Sequence, residues 1–326
     1  MRFLLSAEQR EFARALDGML TASDTPAVAR AWAEGDHKPG RALWARLAES
    51  GVFGLAVSAR YGGMGLLPAE LTVAFHELGR HVVPGPLVET VAAAAFLERL
   101  GAGAAAGEWL PRIAAGEAVV SLCADGPYAL DADAADAVLV VEGDTVRRAE
   151  GHGPVQTSLD PARRLFRPLG GAVFAHGPEV TAAAAHALDL ARLTTAAQSL
   201  GLGRALLAQT VSHVTRRTQF GVPIGSFQAV KHRLADTLIA LEFAQPLVHG
   251  AALALVAGAP SAGREVAAAK VAAGEAGHAA ARTALQLHGA LGYTEEPALS
   301  LWIRKARPLR DAWGTPADCR RRVLAA

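Results

Sequence analysis

The sequence predicts a mainly α-helical protein with a small β-domain between a helical N-terminal domain and a C-terminal four-helix bundle. Three observations carry that prediction. Apolar residues recur at helical spacing through residues 1–118, short β-branched runs bounded by Gly and Asp fall within 119–178, and Ala/Leu-rich helical patterns fill most of 179–326. At 326 residues and 51% hydrophobic content the chain can build a large core. The 119–178 segment is small for an independent unit and is expected to pack between the helical parts.

Each element has its own signal. Ser6 with Glu8 and Gln9 makes a helix start, and Phe12, Leu16 and Leu20 then recur every fourth residue, predicting an amphipathic helix over 6–20. Leu43 to Leu47 opens a second helix that ends at Gly51, and Tyr61-Gly-Gly-Met-Gly65 is a turn in which glycine allows positive φ. A helix over 68–78 is expected to stop at Gly79. Pro84 and Pro86 break the chain before an Ala-rich helix over 88–100, and 109–116 adds a short helical turn, so the first 118 residues are expected to be all helical. Val119–Cys123, Ala137–Val141, Thr145–Val146 and Ala172–Phe174 read as strands. Helical patterns return over 181–215, 228–258 and 262–289, the third small or apolar almost all round and therefore central. Pro246 is expected to kink or divide the second of these. A last helix from Pro297 to Arg310 leads to Trp313-Gly314-Thr315 and a short tail.

The formal charge of +1 is spread along the chain, and basic residues cluster only in short runs such as Arg320 to Arg322. Neither nucleic acid nor a membrane surface is therefore expected as a partner; small molecules and proteins are. Cys123 and Cys319 lie far apart without metal-ligand spacing, which fits buried thiols in a reducing compartment and predicts neither a metal site nor a disulfide. The N-terminal stretch MRFLLSAEQREF has no long apolar region, and no run of about 18 uninterrupted apolar residues occurs. The expected location is cytoplasmic.

One loop stands out between two helical patterns. Thr215 to Gln228, TRRTQFGVPIGSFQ, gathers two arginines, two glutamines and two phenylalanines around Gly and Pro. Guanidinium groups bind phosphate with directed hydrogen bonds, and planar amides beside aromatic rings suit a flat ring, so the inventory fits a ligand with both. The alternative is a helix C-terminus whose arginines complement the macrodipole.

Further motifs carry a family resemblance. Leu43-Trp44 through Gly51, then Tyr61-Gly-Gly-Met-Gly65 and Glu77-Leu-Gly79, resembles the N-terminal helical domain of the acyl-CoA dehydrogenases. Arg217-Thr-Gln-Phe-Gly221 with Phe227-Gln228, then Gln286-Leu-His-Gly289 and Gly292-Tyr293-Thr294, is similar to the flavin-binding signature of that family, in register to Arg304 and Gly314-Thr315. The resemblance implies FAD-dependent α,β-desaturation of an acyl-CoA thioester, in which a carboxylate removes the α-proton and a hydride leaves the β-carbon. It implies that Arg217 contacts the FAD pyrophosphate, that Gln219, Phe220 and Gln228 border the cofactor, and that Gln286 and Gly289 meet its adenosine end. These residues would reach FAD bound mainly by a neighbouring subunit. Ala290 stands where the family prefers a second glycine, and His288 either contacts the cofactor or completes a helix end.

The chain also departs from the family. Its two possible positions for the catalytic glutamate hold Ala191, in Leu188-Asp-Leu-Ala-Arg192, and Trp313, before Gly314-Thr315. Asp125, Asp311 and Asp189 are the acids nearest the lost positions, with solvated or capping roles as the alternative. Cys123-Ala124-Asp125 corresponds approximately to the family's flavin-ring loop, a second such strand has no evident counterpart, and the middle domain is short. The resemblance therefore implies a subunit that pairs with a catalytic paralogue in an α2β2 tetramer, like short members that act in pairs on bulky steroid side-chain acyl-CoAs. A self-sufficient homo-oligomer with a relocated base and a scaffold without cofactor are the alternatives.

Overall fold

The computed structural model describes residues 4–101, 103–294 and 298–325. Its N-terminal part contains α1 (Ala7–Thr21), α2 (Thr25–Ala33), α3 (Lys38–Glu49), β1 (Ala56–Val57), β2 (Gly65–Leu66), α4 (Pro68–Arg80), α5 (Leu87–Leu100) and α6 (Ala104–Ala114). Ser6 caps α1: its hydroxyl accepts from the Gln9 N–H at 3.1 Å, and the Gln9 carboxamide accepts from the Ser6 N–H at 3.0 Å. This part is not all helical, because β1 and β2 pair antiparallel on either side of the 61–65 turn. Gly63 lets the chain double back so closely that a Cβ there would lie 1.9 Å from the Val57 carbonyl oxygen. Helix α2 has no counterpart in the sequence reading; its Pro26 sits in the first turn, where proline is well tolerated.

The middle segment forms two sheets. β3 (Val120–Cys123), β5 (Ala137–Glu142), β6 (Thr145–Arg148) and β9 (Val173–His176) make one in the order β3-β5-β6-β9, with β3 and β5 parallel. β4 (Ala129–Leu130), β7 (Gly151–Gln156) and β8 (Leu165–Leu169) make a second, in the order β4-β8-β7. The second sheet escaped sequence reading because β7 is an exposed edge strand containing Gly and Pro. Pro154 sits at a register shift between His152 and Val155, where no ladder hydrogen bond is lost.

The C-terminal part contains α7 (Pro178–Arg216), β10 (Thr218–Gln219), β11 (Val222–Pro223), α8 (Gln228–Val256), α9 (Ala262–His288), α10 (Leu299–Asp311) and α11 (Pro316–Leu324). The expected helix start at Pro297 lies outside the described residues. Helix α8 runs through Pro246 without division, because the carbonyl that loses its N–H partner belongs to Glu242, an exposed residue open to water. The tail is helical. Thr315 caps α11, its hydroxyl accepting from the Asp318 N–H while the Asp318 carboxylate accepts from the Thr315 N–H. Helix α9 packs against α8, α10 and α11, as its small residues predict. By length and composition α8 alone, among the described residues, could cross a membrane. One of its faces packs on α9, and Leu238, Ile239, Phe243 and Leu247 remain exposed.

The chain divides into two compact units: Met1–Pro26, Thr72–Val83 and Thr195–Ala326 form the first, and Ala27–Leu71 with Pro84–Thr194 the second. In the first, Leu202, Leu206, Ala281, Ala284 and Leu309 build a core with Trp302, whose indole N–H donates to the Arg80 carbonyl at 2.8 Å. Asp17, Glu77 and His81 converge there within 4.8 Å, but Arg80 already bridges both carboxylates and supplies the positive charge that a metal would.

In the second unit α5 lies on β3, with the Thr90 hydroxyl donating to the Val120 carbonyl at 2.8 Å. Asp131 is wholly buried beside them, in a left-handed backbone conformation at φ 51°. Its Oδ1 accepts from Trp32 Nε1 at 3.0 Å, and its Oδ2 has no partner. Burial, with the nearby Glu89 charge adding to it, pushes its carboxyl up to about 8. The folded protein therefore holds Asp131 protonated at neutral pH, whereas the unfolded chain ionises it from its ordinary 3.8 upward. Its stabilising contribution is complete below that value and is lost as pH rises to about 8. D131N keeps the oxygen that serves Trp32 and removes the titration. The variant should gain on the wild type between pH 5 and pH 8, measured by urea denaturation at both, by an amount on the order of a few kcal/mol, the scale of a single carboxyl raised by several pH units.

Candidate cofactor half-site

The loop after α7 is a tight hairpin. Thr218 pairs with Pro223 and Gln219 with Val222, leaving Phe220-Gly221 as a two-residue turn with φ of 53° and 77°. Positive φ at both positions suits a hairpin turn, but Asn-Gly is the ordinary choice and a bulky aromatic is strained there by about 1–3 kcal/mol. Phe220 recovers little of that through burial: it is 91% exposed, with Phe227 edge-on at a centroid distance of 6.2 Å. The hairpin is anchored by the Ile224 N–H donating to the Arg217 carbonyl at 2.8 Å, and Gly225 lies close against Val214. The Arg217 guanidinium has no hydrogen-bond or ion-pair partner among the described residues. Gln219 and Gln228 are exposed beside it, Gln228 at the start of α8.

The second sequence motif arrives at the same place. His213 on the last turn of α7 and His288 on the last turn of α9 stack with ring centroids 4.1 Å apart, which brings the ends of the two helices together. His288 Nδ1 lies 2.9 Å from the Ala284 carbonyl and donates to it. Burial, followed by the neighbouring His288, Arg217 and Arg216, lowers the pKa of His213, so the site presents neutral imidazole near pH 7. Gln286 is exposed on the final turn of α9. Gly289 follows at φ 58° and ψ −133°, a conformation open to glycine, with its N–H donating to the Gln286 carbonyl. Ala290 is exposed, and Tyr293 beyond it is 78% exposed. Tyr293 belongs to the Gly292-Tyr293-Thr294 motif of the sequence; His213 was not among the expected site residues, and its signal was its place four residues before Arg217, one helical turn away.

Unpaired guanidinium, exposed aromatic rings, free carboxamides and a bare glycine backbone make a surface that can hold phosphate and a flat ring from one side.

Models of the acyl-CoA dehydrogenase N-terminal and C-terminal domains match residues 6–117 and 181–326. Acyl-CoA dehydrogenase IpdE2 of Mycobacterium tuberculosis is 32% identical over 97% of this chain and 96% of its own length. The chain belongs to the acyl-CoA dehydrogenase family. Members are flavoprotein oxidoreductases that use FAD. Among solved structures, the Tcur3481-Tcur3483 steroid acyl-CoA dehydrogenase G363A variant superposes with a TM-score of 0.86 at 25% identity, covering 98% of this chain and 97% of that one. The ChsE4-ChsE5 complex of Mycobacterium tuberculosis shares the fold, with a TM-score of 0.87 at 24% identity over 100% and 98% of the two chains. The two domain matches flank residues 118–180, the segment with the small sheets.

At the two positions where the acyl-CoA dehydrogenase resemblance places a base, Ala191 is fully buried on α7 and Trp313 is 6% exposed. Trp313 stands at φ 60° before Gly314 at φ 112°, and the preceding turn is pinned by Lys270, whose buried ammonium donates to the carbonyls of Leu309 at 3.1 Å and Arg310 at 2.9 Å. Of the substitute acids, Asp311 is paired with Arg307 at 2.9 Å and Asp189 with Arg192 at 3.1 Å. Asp125 is exposed in the loop after β3. Burial raises the Cys123 thiol to about 11, which keeps it protonated and unreactive.

Proposed function

We propose that the chain is one subunit of a heteromeric acyl-CoA dehydrogenase, an α2β2 tetramer, and lends its half-site to FAD seated in a paralogous catalytic subunit. The observation that carries this reading is the strained, almost fully exposed Phe220 beside the unpaired Arg217. A solvated loop gains nothing from either, whereas a cofactor lying across a subunit boundary would cover both. FAD, when bound, supplies the acceptor for the hydride that leaves the β-carbon of the acyl thioester. Arg217 holds the pyrophosphate charge, Gln219, Phe220 and Gln228 border the cofactor, and Gln286 and Gly289 face its adenosine end. Removal of the α-proton falls to a carboxylate of the partner, since the corresponding positions here are Ala191 and Trp313, and the ion-paired Asp311 and Asp189 offer no free substitute. The exposed apolar face of α8, with Phe243 at 73%, is surface of the kind that a permanent partner covers. The paired steroid enzyme among the structural neighbours supports bulky acyl-CoAs as the substrate class.

The test is co-expression with the adjacent paralogue, recording the flavin absorbance of the lone chain and of the complex, and turnover with an artificial electron acceptor. Flavin and activity are expected in the complex only. Full FAD occupancy and dehydrogenation by the lone chain would overturn the proposal.

A further inference from the structure

The second unit contains a cavity of about 180 Å³, built wholly from its own residues and open to solvent on one side. Ala56, Leu66 and Ala95 supply an apolar wall, and Ser58, Arg99 and His186 supply the polar groups. The Ser58 hydroxyl oxygen is buried and has no hydrogen-bond partner, an arrangement that native proteins seldom leave without an acceptor. Neither ring nitrogen of His186 is hydrogen-bonded among the described residues.

The charges lining the cavity do not balance. Glu98 lines the cavity but is already occupied, accepting from the Ser58 N–H at 2.8 Å and from Arg60 at 3.1 Å. Asp189, the acid that faces His186 from its own helix, is paired with Arg192 at 3.1 Å. Each carboxylate therefore holds its own arginine. Arg99 is left over, with no hydrogen-bond or ion-pair partner among the described residues, and its charge reaches His186 strongly enough to lower that pKa after burial has done so. One excess positive charge, one planar guanidinium fork and two further donors against an apolar wall fit a singly charged planar anion with a hydrocarbon stem. Inorganic phosphate has no hydrocarbon stem to lay against that wall.

We propose that this cavity binds a carboxylate carried on a short aliphatic stem, with Arg99, Ser58 and His186 as its hydrogen-bond donors and Ala56, Leu66 and Ala95 against the stem. The site shares no residue with the cofactor half-site and is lined by this chain alone. An anion beside His186 offsets the burial and Arg99 effects that keep the ring neutral, so binding takes up a proton and tightens as pH falls through the histidine titration.

The full chain, labelled with ¹³C at histidine Cε1, is titrated with sodium butyrate and followed by NMR, with sodium chloride and inorganic phosphate as parallel arms and H186Q to assign the signal. Butyrate is expected to raise the His186 midpoint, R99Q to weaken binding at least tenfold, and S58A to weaken it less. H186Q should still bind but without the pH dependence. Arg99 is exposed and has no hydrogen-bond or ion-pair partner among the described residues, so R99Q should melt with the wild type; if it does not fold, S58A carries the comparison. An unmoved His186 midpoint at saturating butyrate, or butyrate binding unchanged in the folded variants, overturns the site. Phosphate binding equal to butyrate overturns the carboxylate assignment.

Discussion

R217A is expected to lower FAD affinity of the assembled enzyme by about 10- to 150-fold while leaving this chain folded and able to assemble. The range follows from removing charge-assisted hydrogen bonds, about 1.5–3 kcal/mol for a group that binds an ionised acceptor. Folding is spared because the guanidinium has no hydrogen-bond or ion-pair partner among the described residues, and the backbone of Arg217, which anchors the hairpin, is retained. R217K should recover part of the charge but not the planar fork, and should fall between the two. The measurement is FAD binding to the deflavinated complex, read by quenching of flavin fluorescence, so it does not rely on turnover. Phe220 offers a second arm. F220N suits the left-handed turn better than phenylalanine and should stabilise the hairpin while weakening FAD, the expected signature of strain held for a ligand. Equal FAD affinity in wild type, R217A and F220N would remove the half-site from the cofactor.

Much of this site was legible in the sequence because its chemistry sits in two short contiguous stretches, TRRTQFG and QLHG, whose residue types have few joint uses. What the sequence did not show is how they meet. Stacking of His213 on His288 joins helix ends 75 positions apart, and neither histidine is distinctive alone. The same contrast holds in the fold. The long helices are readable because their apolar period persists over several turns, and the first sheet because β-branched runs fill it. β7 and β8 carry no such run; they exist because the chain between β4 and β9 has hydrogen-bonding partners to pair with, a tertiary fact. Gly79 was misread for a related reason. It resembles a helix stop, but α4 continues to Arg80, and the glycine is there for what crosses it.

That crossing gives the second large expected effect. G201A should destabilise the first unit by 3 kcal/mol or more, on the order of the upper range for overpacking, although alanine is the better helix former by about 1 kcal/mol. A Cβ at Gly201 would lie 1.8 Å from the His76 carbonyl oxygen and 3.0 Å from the Arg80 nitrogen, and one at Gly79 would lie 2.1 Å from the Gln198 carbonyl oxygen. Both obstacles are helix backbone, which cannot rotate away as a side chain can, so α4 and α7 would have to separate. G18A at an exposed position of α1, where nothing lies within 4 Å of the new carbon, tests the opposite sign and should stabilise by up to about 1 kcal/mol. Urea midpoints of the two variants against wild type decide the matter, and a G201A midpoint at or above wild type would show the crossing to be slack. The consequence extends to the half-site. α7 is held on its other side by Gly277 of α9, where a Cβ would meet the Ser199 carbonyl at 2.6 Å, so the glycines fix α7 between α4 and α9. Arg217 lies 16 residues beyond Gly201, about 24 Å along a helix at about 1.5 Å per residue. A displacement at the crossing is carried down a rigid rod to the loop, so G201A should also weaken FAD retention in the complex, with no change made to any residue that would touch the cofactor.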